Sequence, residues 1–145
     1  MTTEMLTKDD RQGALSELAD EPFISLTTFK RDGTPVSTPV WVAGDDGRLL
    51  VHSAAHTWKV KRIRRDGHVR VAACDFRGNV RGKALDGEAT IRKDTSLVEA
   101  LEERKYGCMY RMFGSVAAVG RRLRRQPPAE WVEIDIRPAG EPTGR

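Results

Sequence analysis

Cysteine, histidine and aromatic residues are scarce in this chain, and each scarcity removes a class of chemistry. The two cysteines, Cys74 and Cys108, lack CxxC spacing and have apolar neighbours, so they read as buried free thiols rather than a disulfide. Of the three histidines, His52 and His56 stand four apart with a strand ending between them and no third ligand in sight, so no metal is expected. No apolar run approaches the length that spans a bilayer, and the opening MTTEMLTKDDRQ has no apolar stretch of the signal-peptide kind; the expectation is a cytoplasmic protein. Paired carboxylates at suggestive spacing and a Ser/His or Cys/His nucleophile arrangement are also missing. Gly33, Gly47 and Gly67 read as turn glycines and not as a GxGxxG loop, so a Rossmann dinucleotide site is unsupported.

What remains is an ordinary soluble composition with a basic bias. The 145 residues fit one domain, 39% hydrophobic and 32% charged, with a formal charge of +4 and a pI near 9.3. An excess of cations favours an anionic partner without choosing among nucleic acid, a phosphorylated cofactor and an acidic membrane surface. The segment HSAAHTWKVKRIRR, from His52 to Arg65, places small hydroxyl residues just ahead of a dense cationic run. If it opens a helix, Ser53 or Thr57 caps it, free backbone N–H groups point outward, and Lys59, Lys61 and Arg62 add charge-assisted donors for a phosphate. The plainer reading is a solvated cationic face above a buried Val60 and Ile63.

Periodicity gives an order of helix, hairpin strands, short helix, strands, helix, strand. Residues 1–21 form the N-terminal helical segment, with Leu15 and Leu18 as its apolar contribution and Pro22 beyond its end. Ile24, Leu26 and Thr28 alternate with Ser25, Thr27 and Phe29; Asp32-Gly33 supplies a two-residue turn, and Val36, Thr38, Val40 and Val42 resume the alternation. Asp46-Gly47 then leads into Leu49 to Val51, which predicts a three-stranded meander. Barrel strands fill residues 22–93, interrupted by a basic helix over 56–66. Leu85, Gly87, Ala89 and Ile91 share one strand face. Residues 94–126 are helical, with Leu97, Leu101, Cys108 and Met112 in one stripe, Tyr106, Tyr110 and Phe113 beside it, and Gly107 as a weak point. A last strand covers 129–137. The whole chain, 1–145, reads as one mainly β domain with helices (α+β), about six antiparallel strands closed into a small barrel so that no long edge stays exposed.

The stretches FISLTTFKRDGTPVSTPVWV and TWKVKRIRRDGHVRVAACD, with KYGCMYRMF further on, resemble the split-barrel proteins of the pyridoxamine-phosphate-oxidase-like superfamily, and within it the coenzyme F420-dependent oxidoreductases. The resemblance covers Phe23 to Ile91 and implies a six-stranded antiparallel split β-barrel with flanking helices. It implies an enzyme, an F420-dependent reductase that moves a hydride between the deazaflavin and a small organic substrate, with FMN as the alternative cofactor. Ser53 and Lys59 match the family's hydroxyl residue and the lysine six positions later; Thr57, Lys61 and Arg62 extend that phosphate-facing set. Thr38, Pro39, Val40 and Trp41 would lie along the ring. Pro39 cannot donate to a ladder and so belongs at an edge or a bulge. Tyr106 and Tyr110 would line a substrate pocket, one phenol donating a proton or hydrogen bond. Trp58 departs from the family's small residue and would narrow the groove. A homodimer is implied, with Trp41, Trp131, Tyr110 and Phe113 as outward apolar contacts.

Two non-enzymatic readings stand beside this one. A nucleic-acid binder would use Lys59 to Arg65 and the RRLRR run at Arg121 to Arg125, yet in the sequence the aromatics do not interleave with cations as a stacking platform would. The stretch VAAVGRRLRR could meet an anionic membrane surface, although its apolar face is short.

Overall fold

Two Asp-Gly pairs set the first turns, and they work differently. Asp46 and Gly47 both adopt positive φ, 50° and 80°, the two-residue hairpin geometry that joins Asp45 to its partner Arg48. At the earlier pair only Gly33 is left-handed, with φ of 90°. Lys30 N–H donates to Thr34 O and Gly33 N–H to Lys30 O, both at 2.9 Å, so the loop holds three residues, Arg31 to Gly33, not two. The Asp32 carboxylate accepts from Thr34 N–H at 2.9 Å, and the Thr34 side chain, followed by that backbone contact, holds its pKa below the usual value.

The computed structural model describes residues 8–107 and 130–139. In chain order the elements are α1 (Lys8–Leu18), β1 (Ile24–Phe29), β2 (Pro35–Val40), β3 (Ala43–Asp45), β4 (Arg48–Ala54), α2 (Trp58–Arg65), β5 (His68–Ala73), β6 (Leu85–Arg92), α3 (Ser96–Tyr106) and β7 (Trp131–Pro138). Cys108, Tyr110, Met112, Phe113 and the run from Arg121 to Arg125 lie outside the described residues. The strands form one antiparallel sheet in the order β2-β1-β5-β6-β7-β4-β3.

This order corrects the expected meander. The strand at 48–54 does not lie beside β2; it pairs with β3 on one side and with β7 on the other, Val51 opposite Ile134. Among the described residues the strands number seven, because Ala43 to Asp45 pairs as a short strand of its own. The two edge strands, β2 and β3, are joined by Trp41 and Val42 alone. Two extended residues reach only about 7 Å, so the sheet has to curl until its edges approach, which produces the mainly β split barrel.

Inside the curl, Leu26, Leu49, Val69, Val71, Ile134 and Ile136 are fully buried. At about 25 cal/mol per Å² of apolar surface, each such side chain stabilises the fold by roughly 1.5–3 kcal/mol. Helix α1 adds Leu15 and Leu18 to this core. Helix α2 turns Val60 and Ile63 inward and packs against β1 and β6, closing one end of the barrel. Helix α3 lies on β3 and β4, but its phase differs from the expected stripe: Val98 and Glu102 are buried and Leu97 is 40% exposed. Gly107 ends α3 as its C-cap, its N–H bonded to Glu103 O. Cys74 is a buried free thiol. Among the described residues no helix is long and apolar enough to cross a membrane.

Candidate functional site

The corner between β4 and α2 gathers the hydroxyl residues. Ser53 is buried on the last turn of the strand and Thr57 is the N-cap of α2, with extended φ and ψ of −72° and 154°. Neither side chain caps the helix as expected. Thr57 Oγ1 donates back to Ala54 O at 3.0 Å, Ser53 Oγ contacts the same carbonyl at 3.3 Å, and the two hydroxyls are 3.4 Å apart. The N-terminal amides of α2 therefore have no side-chain partner from the cap residue.

The basic run divides between two faces of α2, a consequence of the 100° step per residue. Lys59 lies on a flank beside the buried stripe of Val60 and Ile63. It is half-buried, burial alone pushes its pKa down, and it has no ion-pair or hydrogen-bond partner among the described residues. Trp58, Lys61, Arg62 and Arg65 follow i, i+3, i+4, i+7 spacing on the outward face. With Lys30 and Arg31 of the β1–β2 loop they line a separate groove of about 640 Å³. The structure thus brings Ser53, Thr57 and Lys59 together by position and sets Lys61 and Arg62 apart from them. Arg62 Nη1 reaches Thr28 Oγ1 at 3.5 Å and Arg65 Nη2 donates to Phe29 O at 2.6 Å.

The other site residues from the sequence occupy β2 and its exit. Val36, Thr38 and Val40 are partly buried on one face, while Pro35, Ser37 and Pro39 are exposed on the other. Because β2 is an edge strand, Pro39 breaks no interior ladder. Trp41, expected as an outward contact, is partly buried, and its indole stacks on Tyr106 at 4.2 Å and 9°. The Tyr106 hydroxyl is likewise directed at backbone, accepting from Val42 N–H at 3.1 Å and lying 2.8 Å from Pro22 O, and burial raises its pKa to about 12. So engaged, the phenol fastens α3 to the backbone at Pro22 and Val42.

Three features went unread in the sequence. Lys105 Nζ donates to Ala19 O, Glu21 O and Val42 O at 2.6, 2.6 and 2.8 Å, tying α3 to three segments. Glu102 is 3% exposed, and burial pushes its pKa up to about 7 despite the His52 backbone N–H and Lys105 nearby. Its Oε1 has no partner. His52 is stacked on Trp131 at 4.7 Å, has its pKa lowered by burial and leaves Nε2 without a partner among the described residues. Helical periodicity counted from Val98 marks Glu102 as inward-facing; nothing in the sequence marks the contacts of Lys105.

A second polar cluster is structural. Buried Asp135 receives Arg48 at 2.6 Å, Arg92 at 3.1 Å and Arg137 at 3.5 Å. It joins β4, β6 and β7 on the far side of the sheet order from β2.

Among solved structures, the F420 reductase shares 20% identity and a TM-score of 0.54, with 86% of this chain and 93% of that one covered. The conserved protein Rv2991 of Mycobacterium tuberculosis gives 18% identity and a TM-score of 0.59, covering 100% of this chain and 95% of that one. General Stress Protein 26 of Bacillus anthracis gives 17% identity and 0.56, with 88% of each chain covered. At such identities the likeness is one of fold. No curated sequence matches the chain significantly. The pyridoxamine 5′-phosphate oxidase family matches residues 12–139, nearly the whole sequence. With the curled antiparallel sheet and its flanking helices, that match makes the chain a member of the pyridoxamine 5′-phosphate oxidase family.

Proposed function

We propose that the protein is a coenzyme F420-dependent oxidoreductase, holding the coenzyme phosphate at Ser53, Thr57 and Lys59 and the ring along Thr38, Pro39, Val40 and Trp41. The observation that carries this reading is Lys59, a half-buried ammonium with no partner among the described residues beside an N-cap whose hydroxyl leaves the first-turn amides free. Desolvating a cation without a counter-charge costs free energy, and a bound phosphate would recover it. The edge position of β2 supports the ring's placement, because its outer backbone groups are unpaired within the sheet.

When bound, a reduced deazaflavin supplies the hydride. The chain's own work is binding and orientation. Lys59 and the α2 amides fix the phosphate end, β2 presents one wall, and the Trp41–Tyr106 stack with the Tyr106 and Lys105 bonds to Val42 holds the exit of that strand in place. The substrate is a small organic molecule. The Tyr106 hydroxyl, bonded to backbone, serves in this reading to hold that strand exit. The working unit is a homodimer, because a shallow barrel surface encloses a tricyclic ring only when a second copy covers it; Trp131, 38% exposed, is a described candidate for that contact.

Calorimetric titration with F420 and with FMN tests the proposal. Tighter F420 binding than FMN is expected. Tight FMN binding with no F420 response would place the protein among flavin enzymes instead, and a persistent monomer in light scattering that still turns over with reduced F420 would overturn the shared site.

A further inference from the structure

The outward face of α2 carries a cationic groove, separate from the corner at Ser53, Thr57 and Lys59. Its groove of about 640 Å³ is lined by Lys30, Arg31, Trp58, Lys61, Arg62 and Arg65, five cations and one aromatic ring without an acid. None of the five is in an ion pair among the described residues. The basic residues in the last turn of α2, Arg62, Arg64 and Arg65, are accounted for in part by the helix dipole. That account does not reach Lys61, nor Lys30 and Arg31, which come from a different element.

Two details suit the groove to a ligand of defined shape. The guanidinium groups of Arg62 and Arg65 are already steered by Thr28 Oγ1 and Phe29 O, so part of their side-chain freedom is lost before binding. Trp58 is 68% exposed, unusual for so large an apolar surface, with the Lys61 ammonium 4.5 Å from its ring centroid. The sequence shows no alternation of aromatics with cations, but helical spacing and the β1–β2 loop assemble such an arrangement in space.

We propose that this groove binds a nucleoside polyphosphate, the base stacked on Trp58 and the phosphates held by Lys30, Arg31, Lys61, Arg62 and Arg65. Five positive charges match the charge of about −4 on a triphosphate chain better than a single phosphate, and one exposed indole provides for one base. The groove's volume lies in the range of small-ligand sites, roughly 300–1,000 Å³. This site does not depend on the coenzyme reading, since none of Ser53, Thr57 and Lys59 lines it.

Calorimetry on the full chain without coenzyme, using adenosine triphosphate, inorganic tripolyphosphate and an eight-residue oligothymidylate as probes, tests the proposal. Adenosine triphosphate should bind about tenfold more tightly than tripolyphosphate, the ratio that stacking of one base is worth at the lower end of roughly 1–3 kcal/mol. Trp58→Ala should remove that ratio and leave tripolyphosphate affinity unchanged, while the double variant Lys30→Ala/Arg31→Ala should weaken both by tenfold or more. Equal affinities for the two polyphosphates in the unaltered protein would overturn the stacking assignment. Tighter binding of the oligonucleotide than of adenosine triphosphate would assign the groove to single-stranded nucleic acid. Displacement of bound adenosine triphosphate by F420 would return the groove to the coenzyme and refute a separate site.

Discussion

Replacing Glu102 with glutamine should stabilise the protein at pH 8.5 and leave its stability nearly unchanged at pH 4. The carboxyl is 3% exposed, one oxygen has no partner, and its pKa rises from 4.5 to about 7 because burial penalises the charged form. A folded-state pKa above the unfolded one means that stability is fully present below about pH 4.5, is lost as pH rises through 7, and stays lost above. At about 1.36 kcal/mol per pH unit the ionised carboxylate costs about 3 kcal/mol of folding free energy in alkaline solution. Glutamine keeps an oxygen that can accept from the His52 backbone N–H and removes the charge. In a chain of this size, about 3 kcal/mol corresponds to roughly 6–12 °C in Tm. Comparing melts of the two proteins at each pH cancels the titration of groups common to both, including His52, whose pKa burial lowers. A Tm difference that is the same at pH 4 and pH 8.5 would refute the argument, as would a variant less stable than its parent in alkaline solution.

Lys59→Ala should weaken F420 binding by about tenfold or more, since a charge-assisted contact contributes roughly 1.5–3 kcal/mol, while Tm holds or rises because an unpaired, partly buried cation is removed; unchanged affinity by calorimetry would return the α2 flank to a solvated face. Tyr106→Phe leaves the buried Val42 N–H without the hydroxyl it donates to, and urea unfolding should show a loss of about 1–3 kcal/mol. Gly67→Ala would bring a Cβ to 2.7 Å from Ala89 O, where β6 backbone leaves no flexible neighbour to give way, so a loss of about 1–3 kcal/mol is expected in the same assay. Asp135→Ala strips the shared partner of Arg48, Arg92 and Arg137, and should cost about 3–5 kcal/mol, the range for breaking a buried ion pair from one side.

Local chemistry was legible and long-range pairing was not. The Asp46-Gly47 turn could be read because few residues tolerate two successive positive φ angles, and the inward Val60 and Ile63 could be read from helical spacing. The neighbours of β4 could not: its partner β7 is some eighty residues away, and alternation along either strand fits many registers. At the site, the sequence placed Ser53, Thr57 and Lys59 in one neighbourhood but merged Lys61 and Arg62 with them, because a run of cations does not announce which face of a helix each one takes. Trp41 and Tyr106 looked like free aromatics for the same reason. Their stacking depends on α3 lying over the β2–β3 junction, a tertiary fact with no local signature.

The position of β7 has a consequence for how the chain comes to be folded. It is the last of the described strands yet lies between β6 and β4, with ladders to both. During synthesis, β6 and β4 therefore emerge with one edge each unsatisfied and wait for residues 131–138 before the sheet can become continuous. Exposed edges of this kind recruit strands from other molecules. Pairing across so long a stretch of sequence is also slow, on the scale of milliseconds to seconds. A ribosome that pauses between β6 and β7 would prolong a state with two open edges, and the yield of soluble protein should fall with the length of that pause.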